Sequence, residues 1–149
     1  GQYNIVEATE IAHGAAMMFR TSLLQEIGLM AELYFLYYEE IDYCERIKNA
    51  GYKIWYVGTS KVLHKESMST GKSSPLKTYY LTRNRLLFIR RNFGGFAKIV
   101  SVIFFYCVAI PKNLVTLVIK REWKLILPLL RGAWWNLWHY NIHTNEILK

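Results

Sequence analysis

The sequence predicts an α/β half followed by a basic, helical half, and three observations carry that reading. Short stretches that alternate apolar and polar residues, joined by glycines, fill the region before residue 75. Charge divides near the same place. Residues 1–74 hold 7 Lys and Arg against 9 Asp and Glu, whereas 75–149 hold 12 against 2, so the basic character belongs to the second half alone. That half also carries four of the five tryptophans, Trp123, Trp134, Trp135 and Trp138. Length suggests one domain, but composition separates residues 1–75 from 76–149.

The elements follow in order. "IVEATEIA" (5–12) alternates loosely and reads as a strand leading to His13-Gly14, and "AAMMF" reads as a second, short buried strand. Thr21 can cap a helix that runs to about Ile27 and stops at Gly28. The aromatic "ELYFLYY" leads into a helix ending near Ala50, with Gly51 as its stop. "YKIWYVG" is a strand, Gly58 a turn, and "KVLH" a further short strand ending at His64. "ESMSTGKSSP" (66–75) is a polar loop by composition. "LKTYYLTRNRLLFIRRN" is a strongly basic helix broken by Gly94-Gly95. An uncharged run of 13 residues, Ile99 to Pro111, follows between Lys98 and Lys112, and Pro111 and Pro128 punctuate two further amphipathic pieces. A perpendicular membrane span wants about 20 apolar residues, so this region is expected to lie on an anionic membrane surface as a peripheral element.

The acidic cluster of "YYEEIDYCERIKNAGY" is the sharpest local signal. Glu39, Glu40, Asp42 and Glu45 fall within seven residues. On a helix, Ile41, Cys44 and Ile47 share a core-facing side. Asp42 then precedes Arg46 by four and Glu45 precedes Lys48 by three, the spacings of ordinary surface pairs. Glu39 and Glu40 have Tyr43 and Cys44 at i+4, so no cation on their own helix neutralises them. Acids of this kind either answer the helix macrodipole or serve a ligand.

Cys44 and Cys107 are too far apart in sequence and context for a metal pair or a disulfide framework, and a reducing compartment is the default. Basic charge mixed with apolar and aromatic residues favours a membrane surface over nucleic acid, and no nucleic-acid module is recognisable.

Taken in order, "HGAAMMFR", "GLMAELYFLYYEEIDYCERIKNAGYKIWYVG", "KVLHKESMST" and "YYLTRNRLLFIRRN" resemble the C-terminal half of family-two nucleotide-sugar glycosyltransferases. The rhamnosyltransferase-like members that build bacterial surface polysaccharides are nearest in character. The resemblance covers roughly residues 5–92. It implies an α/β fold, a partial GT-A (Rossmann-like) domain, followed by the basic amphipathic helices. It also implies transfer of a sugar, with inversion, from a nucleotide-diphospho-sugar to a glycan or lipid-linked acceptor, assisted by a divalent cation (Mg or Mn). The expected location is the cytoplasmic side of the bacterial inner membrane. The family's Asp-x-Asp metal motif does not occur, and Asp42 is the only aspartate. The chain is therefore expected to need an N-terminal, nucleotide-binding half, on the same polypeptide or on a partner.

Carried over residue by residue, the family's Glu-Asp pair falls on Glu39-Glu40, which makes Glu40 the catalytic base position with a glutamate where the family has aspartate. Either carboxylate can take a proton from an acceptor hydroxyl. Asp42 matches the family's next aspartate. His64 matches a histidine that completes the metal's coordination, the alternative being a packed strand-end residue. His13 and Gly14 match the acceptor-side segment, with a plain loop histidine as the alternative. Trp55 either stacks on a sugar face or packs in the core, and Arg83 meets either a diphosphate, as a bidentate donor, or lipid phosphate or solvent. The alternative function is a non-catalytic interaction module docking on anionic lipid.

Overall fold

The computed structural model describes residues 4–64 and 74–139. The described chain is mixed α/β and mainly helical. It divides into two compact units. One holds the described residues up to Phe35 and from Glu39 to 64; the other holds Leu36–Tyr38 and the described residues from 74 onward.

In the first unit, β1 (Val6–Thr9) pairs antiparallel with β2 (Ile54–Val57), Val6 opposite Val57 and Thr9 opposite Ile54. Between them lie α1 (Ser22–Ile27) and α2 (Glu39–Asn49). Their apolar sides close on one core: Leu23 from α1, Tyr43, Cys44 and Ile47 from α2, and Ile54 from β2. The helix stops are those the sequence marks. Gly28 ends α1 at φ 75°. Gly51 ends α2 at φ 87°, where Gly51 N–H donates to Lys48 O and Tyr52 N–H to Ile47 O, a Schellman closure that a β-carbon would strain. Both anticipated pairs form: Arg46 Nε lies 3.3 Å from Asp42 Oδ2, and Lys48 Nζ lies 2.7 Å from Glu45 Oε1.

Two expected strands do not form. His13 Nδ1 accepts from Ala15 N–H and turns Gly14–Ala16 into a 3-10 turn, after which "MMF" has no strand pairing among the described residues. "KVLH" is likewise irregular and exposed. A strand needs an adjacent backbone to satisfy its N–H and C=O groups, and neither segment has one among the described residues. The described sheet is thus a two-stranded antiparallel pair, without the wound parallel sheet that the resemblance implies. The polar loop expected over 66–75 lies, up to residue 73, outside the described residues.

The second unit is built from α3 (Pro75–Asn92), α4 (Gly95–Phe104), α5 (Ile110–Ile119) and α6 (Trp123–Trp138). Ser74 caps α3 by accepting from Lys77 N–H, with Pro75 at the first helical position. Pro111 does not separate two pieces. A π turn, Phe105–Ala109, joins α4 to α5 in one helix, Gly95–Ile119. A proline lacks the N–H for, and crowds, the carbonyl four residues back; here that carbonyl belongs to Cys107, inside the wider π turn, which makes room. Pro128 likewise sits inside α6. The carbonyl it leaves free is that of Lys124, in an exposed first turn.

α3 and α6 approach unusually closely at Gly132, where a β-carbon would stand 2.6 Å from Tyr79 O and 3.0 Å from Thr82 Cβ. Asn136 Nδ2 donates to Arg83 O at 3.0 Å, and Arg90 Nη1 reaches Asn136 Oδ1 at 3.2 Å. Leu86 and Ile89 of α3 pack with Phe105, Ile110, Leu129 and Ala133. A methyl at Gly132 is expected to force the two backbones apart. Gly132→Ala should lower stability by about 1–2 kcal/mol, because overpacking costs more than the ~1 kcal/mol that alanine gains in a helix. Urea denaturation followed by circular dichroism measures it.

Candidate functional site

The acidic end of α2 is held by a buried polar network. Asp42 is 1% exposed. Its Oδ1 accepts from Tyr34 Oη at 2.8 Å and its Oδ2 faces Arg46. Arg46 also donates through Nη1 to Ile27 O at 2.6 Å and through Nη2 to Leu29 O, and its guanidinium lies over the Tyr43 ring, 4.9 Å from the centroid. One arginine thus ties the α1 exit to α2 while answering the buried carboxylate. The structure gives Asp42 work as a framework residue.

The approach to α2 is strained. Phe35, Tyr37 and Tyr38 have φ of 60°, 66° and 77°. Non-glycine residues there cost on the order of 1–3 kcal/mol each, so the segment needs outside support. Asn84, fully buried on α3, donates from Nδ2 to Leu36 O at 2.7 Å and to Tyr37 O at 2.9 Å. Composition does not reveal this bracket, since asparagine in a basic helix looks like a surface residue. Arg83 beside it is also buried. Its Nε donates to Asn84 Oδ1 at 2.8 Å and its guanidinium lies 4.8 Å and 4.7 Å from the Tyr80 and Trp135 ring centroids. It braces Asn84 between two aromatic faces and is 8% exposed.

Glu39 and Glu40 open α2. Burial holds the Glu39 carboxyl above the usual carboxylate range; its own backbone amide draws it partly back, and the Glu40 charge adds to the rise. Glu39 Oε2 is buried and accepts no hydrogen bond among the described residues. Glu40 lies across Gly14, where a β-carbon would be 3.6 Å from Glu40 Cβ and 3.8 Å from Cδ. The glycine lets the carboxylate chain rest flat on the turn. His13 precedes that turn, and its ring is 6.1 Å from that of His64, edge to face. Four residues singled out in sequence, His13, Gly14, Glu40 and His64, thus gather on the first unit. With Nδ1 of His13 engaged by Ala15, its Nε2 is the nitrogen left to meet a ligand.

Trp55 takes a different place. It is exposed on β2 and borders a groove of about 520 Å³ with Met17, Met18, Phe19 and Tyr52, so the core alternative is set aside. The expected divalent cation does not find a complete site here: among the described residues no three His, Cys, Asp or Glu side chains converge to hold a metal. His64 with His13 supplies two nitrogens and no carboxylate.

Relatives of known activity bear on the site. The chain is 31% identical over 88 residues to a hexosyltransferase of low-salt glycan biosynthesis from Haloferax volcanii, a match covering 58% of this chain and 29% of the relative. It is 36% identical over 59 residues to the N-acetylglucosaminyl-diphospho-decaprenol L-rhamnosyltransferase of Mycobacterium tuberculosis, covering 40% of this chain and 19% of the relative. The matched stretch thus spans less than a third of either relative's length. No protein-family model and no solved structure matches. These similarities support a glycosyltransferase relationship.

Two outcomes follow. A carboxyl whose pKa is raised on folding favours the folded state below its unfolded value and loses that contribution as pH rises through the folded value. Glu39→Gln is therefore expected to raise the melting temperature near pH 7, with the gain shrinking towards pH 4.5, the ordinary glutamate value. A melting series from pH 4 to 8 reads it. Millimolar Mn²⁺ or its removal with EDTA is expected to leave the melting temperature of this chain unchanged, because a ligand stabilises only as it binds. Differential scanning fluorimetry tests this.

Proposed function

We propose that this chain is the acceptor-side, base-bearing part of a glycosyltransferase that inverts configuration at the transferred sugar. The observation that carries the reading is the seating of Glu40 on Gly14, beside the His13–His64 pair, at the end of a helix whose position the Tyr34–Asp42–Arg46 network fixes. A carboxylate on a rigid element, open on one side, suits proton removal.

In the proposed reaction an acceptor hydroxyl donates its proton to Glu40 as its oxygen attacks the anomeric carbon. The bond from that carbon to the donor's diphosphate oxygen breaks, and its electron pair leaves with the nucleoside diphosphate. One displacement inverts the centre. Burial raises the Glu39 carboxyl above the usual carboxylate range, and proton removal is assigned to Glu40 on the geometry of its seat across Gly14. His13 and Trp55 offer a donor and an aromatic face to the acceptor sugar. His64 is proposed as one nitrogen ligand of a divalent cation whose other donors come from a nucleotide-binding half. Arg83, enclosed by Tyr80, Trp135 and Asn84, supports the segment before Glu39 in this reading, and the diphosphate role is not retained for it.

The acceptor is proposed to be a glycan or a lipid-linked glycan, as the name of the rhamnosyltransferase relative suggests. The exposed apolar side chains of the second unit favour peripheral work at an anionic membrane, proposed to be the cytoplasmic face of a bacterial inner membrane. The same side chains would serve a non-catalytic membrane-docking module, the second reading.

In a protein that includes the nucleotide-binding half, Glu40→Gln is expected to lower turnover by about 10²–10⁴-fold with little change in melting temperature. Glu39→Gln is the control and should cost far less. Initial rates of sugar transfer from a nucleotide-diphospho-sugar check both. Near-normal turnover for the Glu40 variant would leave the docking reading in its place.

A further inference from the structure

The helix Gly95–Ile119 is long and apolar enough to cross a bilayer, judged by length and composition. Its 25 residues rise about 38 Å, more than the roughly 30 Å of hydrocarbon. Its neighbours argue against crossing. Phe105 and Ile110, near its middle, are buried against Leu86 and Ile89 of α3 and Leu129 and Ala133 of α6. Exposed Arg85 and half-buried Tyr38 line one groove with Phe104 and Phe105. A perpendicular helix would carry those residues to the bilayer's centre. A central arginine costs about 2.5–3.5 kcal/mol on insertion scales and more in other treatments.

A helix lying along the membrane avoids this, provided one side of it is apolar throughout. The exposed positions Ile99, Ile103, Cys107, Pro111, Val115 and Ile119 recur every fourth residue. In a straight helix each such step drifts about 40°, so five steps would wind the row about 200° around the axis. The π turn at Phe105–Ala109 adds a residue to one turn and takes back about 100° of that drift. No acidic residue occurs from Gly95 to Arg121, whereas Lys98, Lys112, Lys120 and Arg121 do, as anionic headgroups require. Trp134 and Trp138 of α6 stand exposed, 59% and 76%, suited to headgroup depth.

We infer that the helical unit is a monotopic membrane module: Gly95–Ile119 lies in the plane of an anionic bilayer, its Ile99–Ile119 row immersed at the headgroup–acyl boundary. The π turn keeps that row on one side. This deepens the proposed function by giving the membrane partner a defined surface, and it is tested without donor or acceptor, so it fails separately from the catalytic reading.

Cys107 lies on the row and is exposed, whereas Cys44 is buried, so the whole chain takes an environment-sensitive thiol label at one place. With phosphatidylglycerol-containing vesicles the label is expected to shift to shorter wavelength and to lose most of its quenching by iodide. It should be quenched more by lipids carrying a nitroxide at acyl carbon 5 than at carbon 12. Neutral phosphatidylcholine vesicles should bind at least tenfold less. Ile103→Asp with Val115→Asp, both at exposed sites, should keep the melting temperature and lower partitioning at least tenfold. Stronger quenching from carbon 12 overturns the inference in favour of a span. Persistent iodide access with vesicles, binding indifferent to anionic lipid, or unchanged partitioning of the folded double variant overturns it as well.

Discussion

One buried carboxylate organises the first unit. Asp42 is out of water, and a buried charge is tolerated only when paired and hydrogen-bonded. Tyr34 and Arg46 meet that demand, and in doing so each fixes something else. Tyr34 brings the aromatic segment back onto α2, and Arg46 spends its remaining donors on the carbonyls of Ile27 and Leu29 that end α1. Replacing Arg46 would remove the cation that faces this buried carboxylate. The direction in which Glu39 and Glu40 leave α2 is therefore a product of a group that need never touch substrate.

The two glutamates, adjacent in sequence, occupy different surroundings. Burial acts on Glu39, while Glu40 rests across a residue with no side chain. Gly14 matters here for the space it leaves, since its backbone is ordinary. The His13–His64 pair completes the polar side of the site without forming a metal centre of its own.

What sequence could and could not foretell follows from the range of the forces involved. Local chemistry is legible: the Asp42–Arg46 and Glu45–Lys48 spacings and the stops at Gly28 and Gly51 all depend on residues within one or two turns, whereas α3 begins at Pro75, which composition assigns to the loop. Strand status is not legible, because "AAMMF" and "KVLH" have suitable residues and lack a neighbour to pair with. The site residues His13, Gly14, Glu40 and His64 were named from an ordered set of motifs, and their proximity is a tertiary fact. Arg83 and Asn84 mislead by composition, since a basic helix suggests exposed charge where the structure uses a buried bracket. Pro111 misleads for a similar reason, as the π turn that accommodates it has no sequence signature of its own.

The bracket from Asn84 has a consequence for the order of events during synthesis. The carbonyls it holds, on Leu36 and Tyr37, precede it by 48 and 47 residues. As the chain emerges from a ribosome, β1, α1, α2 and β2 are all available before α3 appears. The Leu36 and Tyr37 carbonyls lack the Asn84 amide until then. The segment Leu36–Tyr38 is thus completed late, by an element of its own unit that is distant in sequence. A ribosome stalled before residue 84 would hold a nascent chain that has the first unit's core residues and lacks the donor that brackets Leu36 and Tyr37.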